Sequence, residues 1–280
     1  MTVKIVTDST SDLTPEISSK LGITIVPLYI HFGTESYRDG VDLTTEQFYQ
    51  KLRHTKILPT SGVPSPAIFA EVYDRLAEVT DEIIVIALSS KLSAVYDIEF
   101  QAIKLMKKKC RIQVVDSLTG AMAQGLIAIA AAKSANTGAK FEEVMSMTRH
   151  NISRVEIRFA FDTLEYLKRG GRINTAQAFM GAMLKINPIL SLKNGEAYPI
   201  ARKRSRSKAI DYLCDFITSY SYIEEMAIED ATTPYEAQLL LERISVKFSK
   251  ERIYRTKVSP VVGTHVGPHV LAVSVLGDLV

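Results

Sequence analysis

Three short apolar runs in the first 120 residues each end in a cluster of hydroxyl and carboxylate side chains. Residues 3–7 run into Asp8-Ser9-Thr10-Ser11-Asp12, residues 82–88 into Ser89-Ser90-Lys91-Leu92-Ser93, and residues 111–115 into Asp116-Ser117-Leu118-Thr119-Gly120. Ser, Thr and Asp are the usual helix N-caps, so one such cluster alone reads as capping. Three at equivalent places suggest a ligand site, because the free N–H groups at helix starts favour an anion and the hydroxyls add donors. A fourth hydroxyl-rich stretch, Thr60-Ser61-Gly62-Val63-Pro64-Ser65, reads as a loop before another helix.

The second half adds complementary chemistry. Lys168-Arg169-Gly170-Gly171-Arg172 sets three cations around a flexible glycine pair, and Gly263-Thr264-His265-Val266-Gly267-Pro268-His269 reads as a Gly/Pro loop holding a histidine. His265 and His269 have the spacing of a helical metal pair, but the intervening Gly-Pro argues against a regular helix, so no metal is expected. The chain has no GxSxG elbow, no GxxxxGK[ST] phosphate loop, no HExxH and no GxGxxG. The residues therefore indicate a small-anion site and leave catalysis and carriage both open.

The elements that must position these groups follow from periodicity. Residues 3–7, 23–32, 82–88 and 111–115 read as strands, with Pro27 marking an edge or bulge. Helices are expected after Thr14-Pro15, from the Thr44/Gln47 capping box to about residue 53, and over 66–79, 93–107, 119–136 and 140–150. This alternation predicts a parallel sheet with helices on both faces. The segment GAMAQGLIAIAAA is apolar all round and reads as a buried helix. Beyond residue 151 the pattern changes. Strands are expected at 155–161, 189–193, 196–200, 223–228, 252–257 and 270–276, and Asn194-Gly195 suits a type I′ hairpin turn. Helices are expected at 163–169, 174–184, 205–220 and 234–248. The fold class is thus α/β in two domains, 1–152 mainly parallel and 153–280 mixed, with the site between them.

Composition limits the partners. With 34 Lys+Arg against 31 Asp+Glu, the net charge of +3 on 280 residues is too small to imply nucleic acid, even with the basic run 202–208. The start reads directly as a strand, with no secretion signal, and the most apolar later stretch is shorter than the about 20 residues that span a bilayer. Cys110 and Cys214 show no metal-ligand spacing. They read as two thiols in a reducing cytoplasm, with a disulfide as the alternative.

Seven segments in order, IVTDSTSDL, PTSGVPSP, LSSKLSAVY, VVDSLTG, DTLEYLKRGGRI, KINPILSLKNG and VVGTHVGP, resemble the DegV family of bacterial fatty-acid-binding proteins over essentially the whole chain. The resemblance implies a long-chain fatty acid buried between the domains, no other cofactor and no catalysis by the chain itself. It also implies an ATP-using fatty acid kinase partner, which converts the presented carboxyl group to an acyl phosphate for phospholipid synthesis, and it leaves room for transient membrane contact. The implied fatty-acid site comprises Thr60, Ser61, Ser93, Ala94, Arg172, Thr264 and His265, with Arg202 and Arg204 facing the kinase. The chain departs from the family pattern at Ala94-Val95, where Gly-Thr is usual, and at Val266 and His269. The alternative activity is a serine-dependent acyl hydrolase or transferase using Ser93 and His265.

Overall fold

The computed structural model describes residues 2–179 and 186–279. The chain begins with β1 (Lys4–Asp8), a 3-10 turn at Ser9–Ser11, and α1 (Pro15–Leu21). Thr14 accepts the Ile17 N–H, Pro15 occupies the first turn and Gly22 closes the helix at φ 68°. There follow β2 (Ile23–Val26), β3 (Tyr29–Phe32), β4 (Glu35–Arg38), α2 (Thr45–His54), β5 (Thr60–Gly62), α3 (Pro66–Leu76) and β6 (Glu82–Ala87). Next come α4 (Val95–Ala102), β7 (Arg111–Asp116), α5 (Ala121–Asn136) and α6 (Phe141–Arg154). The remainder is β8 (Val155–Ala160), α7 (Glu165–Arg169), β9 (Asn187–Lys193), β10 (Glu196–Lys203), α8 (Arg206–Thr218) and β11 (Tyr220–Asp230). It ends with α9 (Pro234–Ile244), β12 (Ile253–Lys257), α10 (Pro260–Val266) and β13 (Leu271–Leu279).

Three sheets result. The first, β2-β1-β6-β7, is wholly parallel, so the three polar clusters lie along one edge. Its central strand β6 is buried from Ile83 to Ala87, as a strand covered on both faces requires. The second sheet, β10-β9-β8-β13-β11-β12, is mixed, with only β11 and β12 parallel. The third is the small antiparallel set β4-β3-β5. The α5 helix lies between the first two sheets, packed on β1, β2 and β6 and on β8, β11 and β13. All of residues 121–132 are buried, so the apolar-all-round segment is core.

Several expectations need correction. Residues 23–32 are two strands in different sheets, because Pro27 lacks the N–H that would carry the ladder onward. Residues 60–62 are the strand β5, held by pairing with β3 rather than by local propensity. The helix after Ser93 begins at Val95 and yields to a 3-10 turn at Ile103–Leu105. Residues 174–179 form a 3-10 segment, and residues 180–184 of the expected helix lie outside the described residues. The Asn194-Gly195 turn is as expected, with both residues at positive φ (52° and 86°) between antiparallel strands.

The turn after β1 approaches α5 closely. A Cβ at Gly125 would lie 2.5 Å from the Ser11 carbonyl oxygen, with Leu13 and Met122 also in the way. Gly125→Ala is therefore expected to destabilise the protein by about 1–3 kcal/mol through overpacking, measured by chemical denaturation.

Candidate functional site

Much of the polar edge is consumed in building the fold. Buried Asp8 accepts the Leu88 N–H at 3.0 Å, the Gln124 amide at 2.9 Å and the Thr10 N–H at 2.8 Å, as well as the Thr10 hydroxyl. Burial pushes its pKa up and these hydrogen bonds partly offset the rise. Asp116 accepts the Ser90 and Leu118 N–H groups, and the Ser89 hydroxyl donates to the Gly195 carbonyl at 2.8 Å, tying the sheet edge to the hairpin turn. These contacts are caps and struts.

Beside them runs an apolar slot. Leu28, Leu88, Leu92, Gly120 and Ala121 line it from one side, and Phe159, Phe161, Leu190, Leu192, Val261, Val262 and Val266 from the other. It holds about 800 Å³ of atom-free space, part of it continuous with solvent. Ser61, Ser93, Arg172 and His265 are its polar wall, joined by Thr10 and Ser191. A second, outer cavity is lined by Leu58, Thr60, Tyr166, Arg169, Gly170 and Thr264. Ser61, Arg172 and His265 border both and thus stand between the slot and the outer cavity.

His265 stands in the last turn of α10, not in a loop. Ser259 caps this short helix by accepting the Val262 N–H, and Gly267 ends it at φ 80°, so His269 lies beyond the helix. The His265 Nε2 is 2.8 Å from Ser61 Oγ, the direction of the hydrogen bond depending on the tautomer. Its Nδ1 has no partner among the described residues. Burial, and then the Arg172 charge, pull its pKa down from 6.5 to about 4, so the ring is neutral at neutral pH. Gly170 makes room for it: a Cβ there would lie 2.4 Å from Nδ1.

Arg172 supplies the charge. Its Nε donates to the Leu92 carbonyl at 3.0 Å and one terminal nitrogen to the Gly170 carbonyl at 2.6 Å. Among the described residues no carboxylate pairs with it, leaving a cation at the end of an apolar slot. Ser93 is half-buried and its oxygen accepts the Val95 N–H at 3.4 Å, which leaves the hydroxyl hydrogen free to donate. The N-cap of α4 is Ala94, which has no side-chain cap. This end can therefore hold a carboxylate through one charge, two hydroxyls and a neutral imidazole.

The other sequence-derived positions are placed differently. Thr60 is exposed on the outer cavity, because alternation along β5 directs it away from Ser61. The buried Thr264 hydroxyl is spent on the Pro260 carbonyl at 3.0 Å. Ala94 is exposed and does not line the slot, so its Cβ does not crowd a ligand there. Arg202 lies over the Phe179 ring at 4.3 Å and donates to the Ala178 carbonyl. Arg204 is exposed after β10. Sequence reading missed the apolar lining, although Phe159 and Phe161, like Leu190 and Leu192, show the i,i+2 spacing of one strand face.

The hydrolase constellation is not assembled. His265 Nε2 engages Ser61 rather than Ser93, and no described carboxylate orients its Nδ1 as a triad requires.

Residues 2–278 match the family model described as "Uncharacterised protein, DegV family". A DegV domain-containing protein of Caldanaerobacter subterraneus is 35% identical over 272 residues, 95% of each chain. The solved structure of a DegV family protein from Thermus thermophilus, described as fatty acid binding, superposes with a TM-score of 0.91 at 29% identity, covering 99% of this chain and 100% of that one. A stearic acid-binding protein from Eubacterium ventriosum superposes at 0.85 with 26% identity, covering 99% and 98%.

The lowered His265 pKa has a measurable consequence. As pH falls below 6.5 the unfolded chain gains a proton at this position that the folded protein refuses until about 4, so this histidine costs stability across that window. His265→Gln is expected to flatten the loss of stability between those pH values, and the imidazole NMR signals should titrate near 4 rather than 6.5.

Proposed function

The chain belongs to the DegV family, and on that premise we propose that it binds one long-chain fatty acid in the slot and presents the carboxyl group to a fatty acid kinase. The observation that carries the reading is the Arg172 guanidinium, paired with no carboxylate among the described residues, together with Ser61, Ser93 and His265 at one end of an otherwise apolar slot. The carboxylate takes its counter-charge from Arg172 and hydrogen bonds from the hydroxyls. The methylenes replace water along Leu88, Leu92, Phe159, Phe161 and Leu190. Each buried methylene contributes about 0.8 kcal/mol, and ordering of the chain and desolvation of the carboxyl group take back much of the sum.

In this reading the polypeptide performs no chemistry. The segments 1–152 and 153–280 act as two domains flanking the ligand. The outer cavity beside Ser61, Arg172 and His265 gives an ATP-using partner access to the carboxyl oxygen, where an acyl phosphate is made for phospholipid synthesis. Arg204, with Arg202 beside it, docks that partner. The setting is the cytoplasm, with membrane lipid exchanged by surface contact. Among the described residues no helix is long and apolar enough to cross a membrane.

Denaturing mass spectrometry of the purified protein is expected to release a fatty acid of long-chain mass. Empty protein that takes up no added fatty acid would reject the proposal. Arg172→Ala and Ser93→Ala are each expected to weaken fatty-acid binding, by about tenfold or more for the charged contact. Arg204→Ala should instead lower acyl-phosphate formation with the partner kinase while fatty-acid loading persists. Equal loss of loading would remove Arg204 from the docking role.

A further inference from the structure

The carboxyl groups of Asp12 and Glu229 meet inside the protein. Asp12 follows the Ser9–Ser11 turn and holds a left-handed backbone at φ 52°, unusual for a residue with a side chain. Its Oδ1 accepts the N–H of Ser259, the N-cap of α10, at 3.1 Å. Glu229, on β11, accepts the Met122 N–H in the first turn of α5 at 3.2 Å and the Ser274 hydroxyl of β13 at 3.5 Å. Asp12 is 5% exposed and Glu229 0%. Asp12 Oδ2 is sealed from solvent and meets no N–H or O–H donor among the described residues. The Glu229 carboxyl group lies within hydrogen-bonding reach of the Asp12 carboxyl group. Two carboxylates are acceptors only, so such a contact requires that one of them carry a proton.

We propose that Asp12 and Glu229 share one proton and that this pair is a positioning clamp for the slot. It joins the start of α10, which carries Val261, Val262 and His265, to the start of α5, which carries Ala121, and to the turn that carries Thr10. All of these residues line the slot. The inference rests on the reading of that slot as a fatty-acid site.

The surroundings hold the proton in place. Asp39 lies near Asp12 and is itself pushed up to about 8 by burial, so it brings the pair no counter-charge, and Asp8 on β1 is a further carboxyl group near Asp39. Arg255, on β12, faces Glu229 but is engaged with Asp230, as is Lys257. Tyr49, on α2, donates its hydroxyl to the Val258 carbonyl. Burial, followed by the neighbouring carboxyl group, pushes Asp12 well above the usual carboxylate range, and burial lifts Glu229 to about 7. The unfolded chain releases such protons from about pH 4 upward, whereas the folded protein retains them, so the pair's own contribution to stability is fully present below about pH 4 and is lost as pH rises towards the folded values.

The test compares Asp12→Asn, Asp12→Ala and Glu229→Gln with the wild type. Asparagine keeps the acceptor for Ser259 and offers Glu229 an N–H without needing a proton. Urea unfolding between pH 5 and 8 is expected to show a pH slope that Asp12→Asn and Glu229→Gln both reduce, by up to about tenfold in the unfolding equilibrium per pH unit for one proton. Binding of a fluorescent long-chain fatty acid should weaken about tenfold or more in Asp12→Ala, and Asp12→Asn should restore it to within about threefold of wild type. An unaltered pH slope in Asp12→Asn would overturn the shared proton. Wild-type affinity in a folded Asp12→Ala would overturn the positioning role. Should Asp12→Ala not fold, loss of affinity in Asp12→Asn would do the same. If the wild type takes up no fatty acid, the reading of the slot fails, while the slope comparison still decides whether the pair shares a proton.

Discussion

A helix that is apolar on every side must be covered on every side. The α5 helix meets that demand by lying between the parallel and the mixed sheet, with residues 121–132 wholly buried. The other large features depend on it. The two sheets face each other across α5, and its first turn lies where both present backbone and side-chain polar groups. Gln124, the one amide in that buried stretch, is tied to Thr7, Thr10 and Asp8 at the end of β1. An unpaired amide there would cost far more than the hydrogen bonds return, so the polar edge is first a solution to burial and only then a place for a ligand.

The slot follows from the same arrangement. It opens where the C-terminal edge of the first sheet meets β8, β9 and α10, and small residues keep the backbones close there. Gly120 and Ala121 line the slot itself, while Gly170 leaves space for an imidazole that no larger residue would allow. A neutral histidine beside an unpaired arginine then makes a site with one positive charge, set by burial rather than by counter-ions.

Much of this was legible in the sequence, and the rest was lost for identifiable reasons. The Thr44/Gln47 capping box, the Asn194-Gly195 turn and the apolar run of β6 are local signals, and each formed as its residues dictate. The strand β5 was hidden, because Thr60-Ser61-Gly62 has no strand propensity of its own and pairs only once β3 is in place. That strand also decides the site, since its alternation sends Ser61 to His265 and Thr60 outward. Pro27 signals an edge or bulge within residues 23–32, but a change of sheet is a tertiary event that one residue cannot announce. Ser93, Arg172 and His265 stand in recognisable motifs, and the fold brings them to one wall of the slot. The contact between Asp12 and Glu229 spans the chain and leaves no local trace.

The unpaired guanidinium of Arg172 also bears on how much folded protein a cell maintains. Without a bound anion the molecule keeps a half-buried charge at the end of an apolar slot. A carboxylate with an acyl tail would, on the proposed reading, remove that penalty, binding the folded chain and not the unfolded one. On the proposed reading, lipid supply therefore acts as a mass-action chaperone. Abundance of the carrier would follow the fatty acid available to it, since a shift of one or two kcal/mol in the folding equilibrium alters the fraction exposed to proteolysis several-fold.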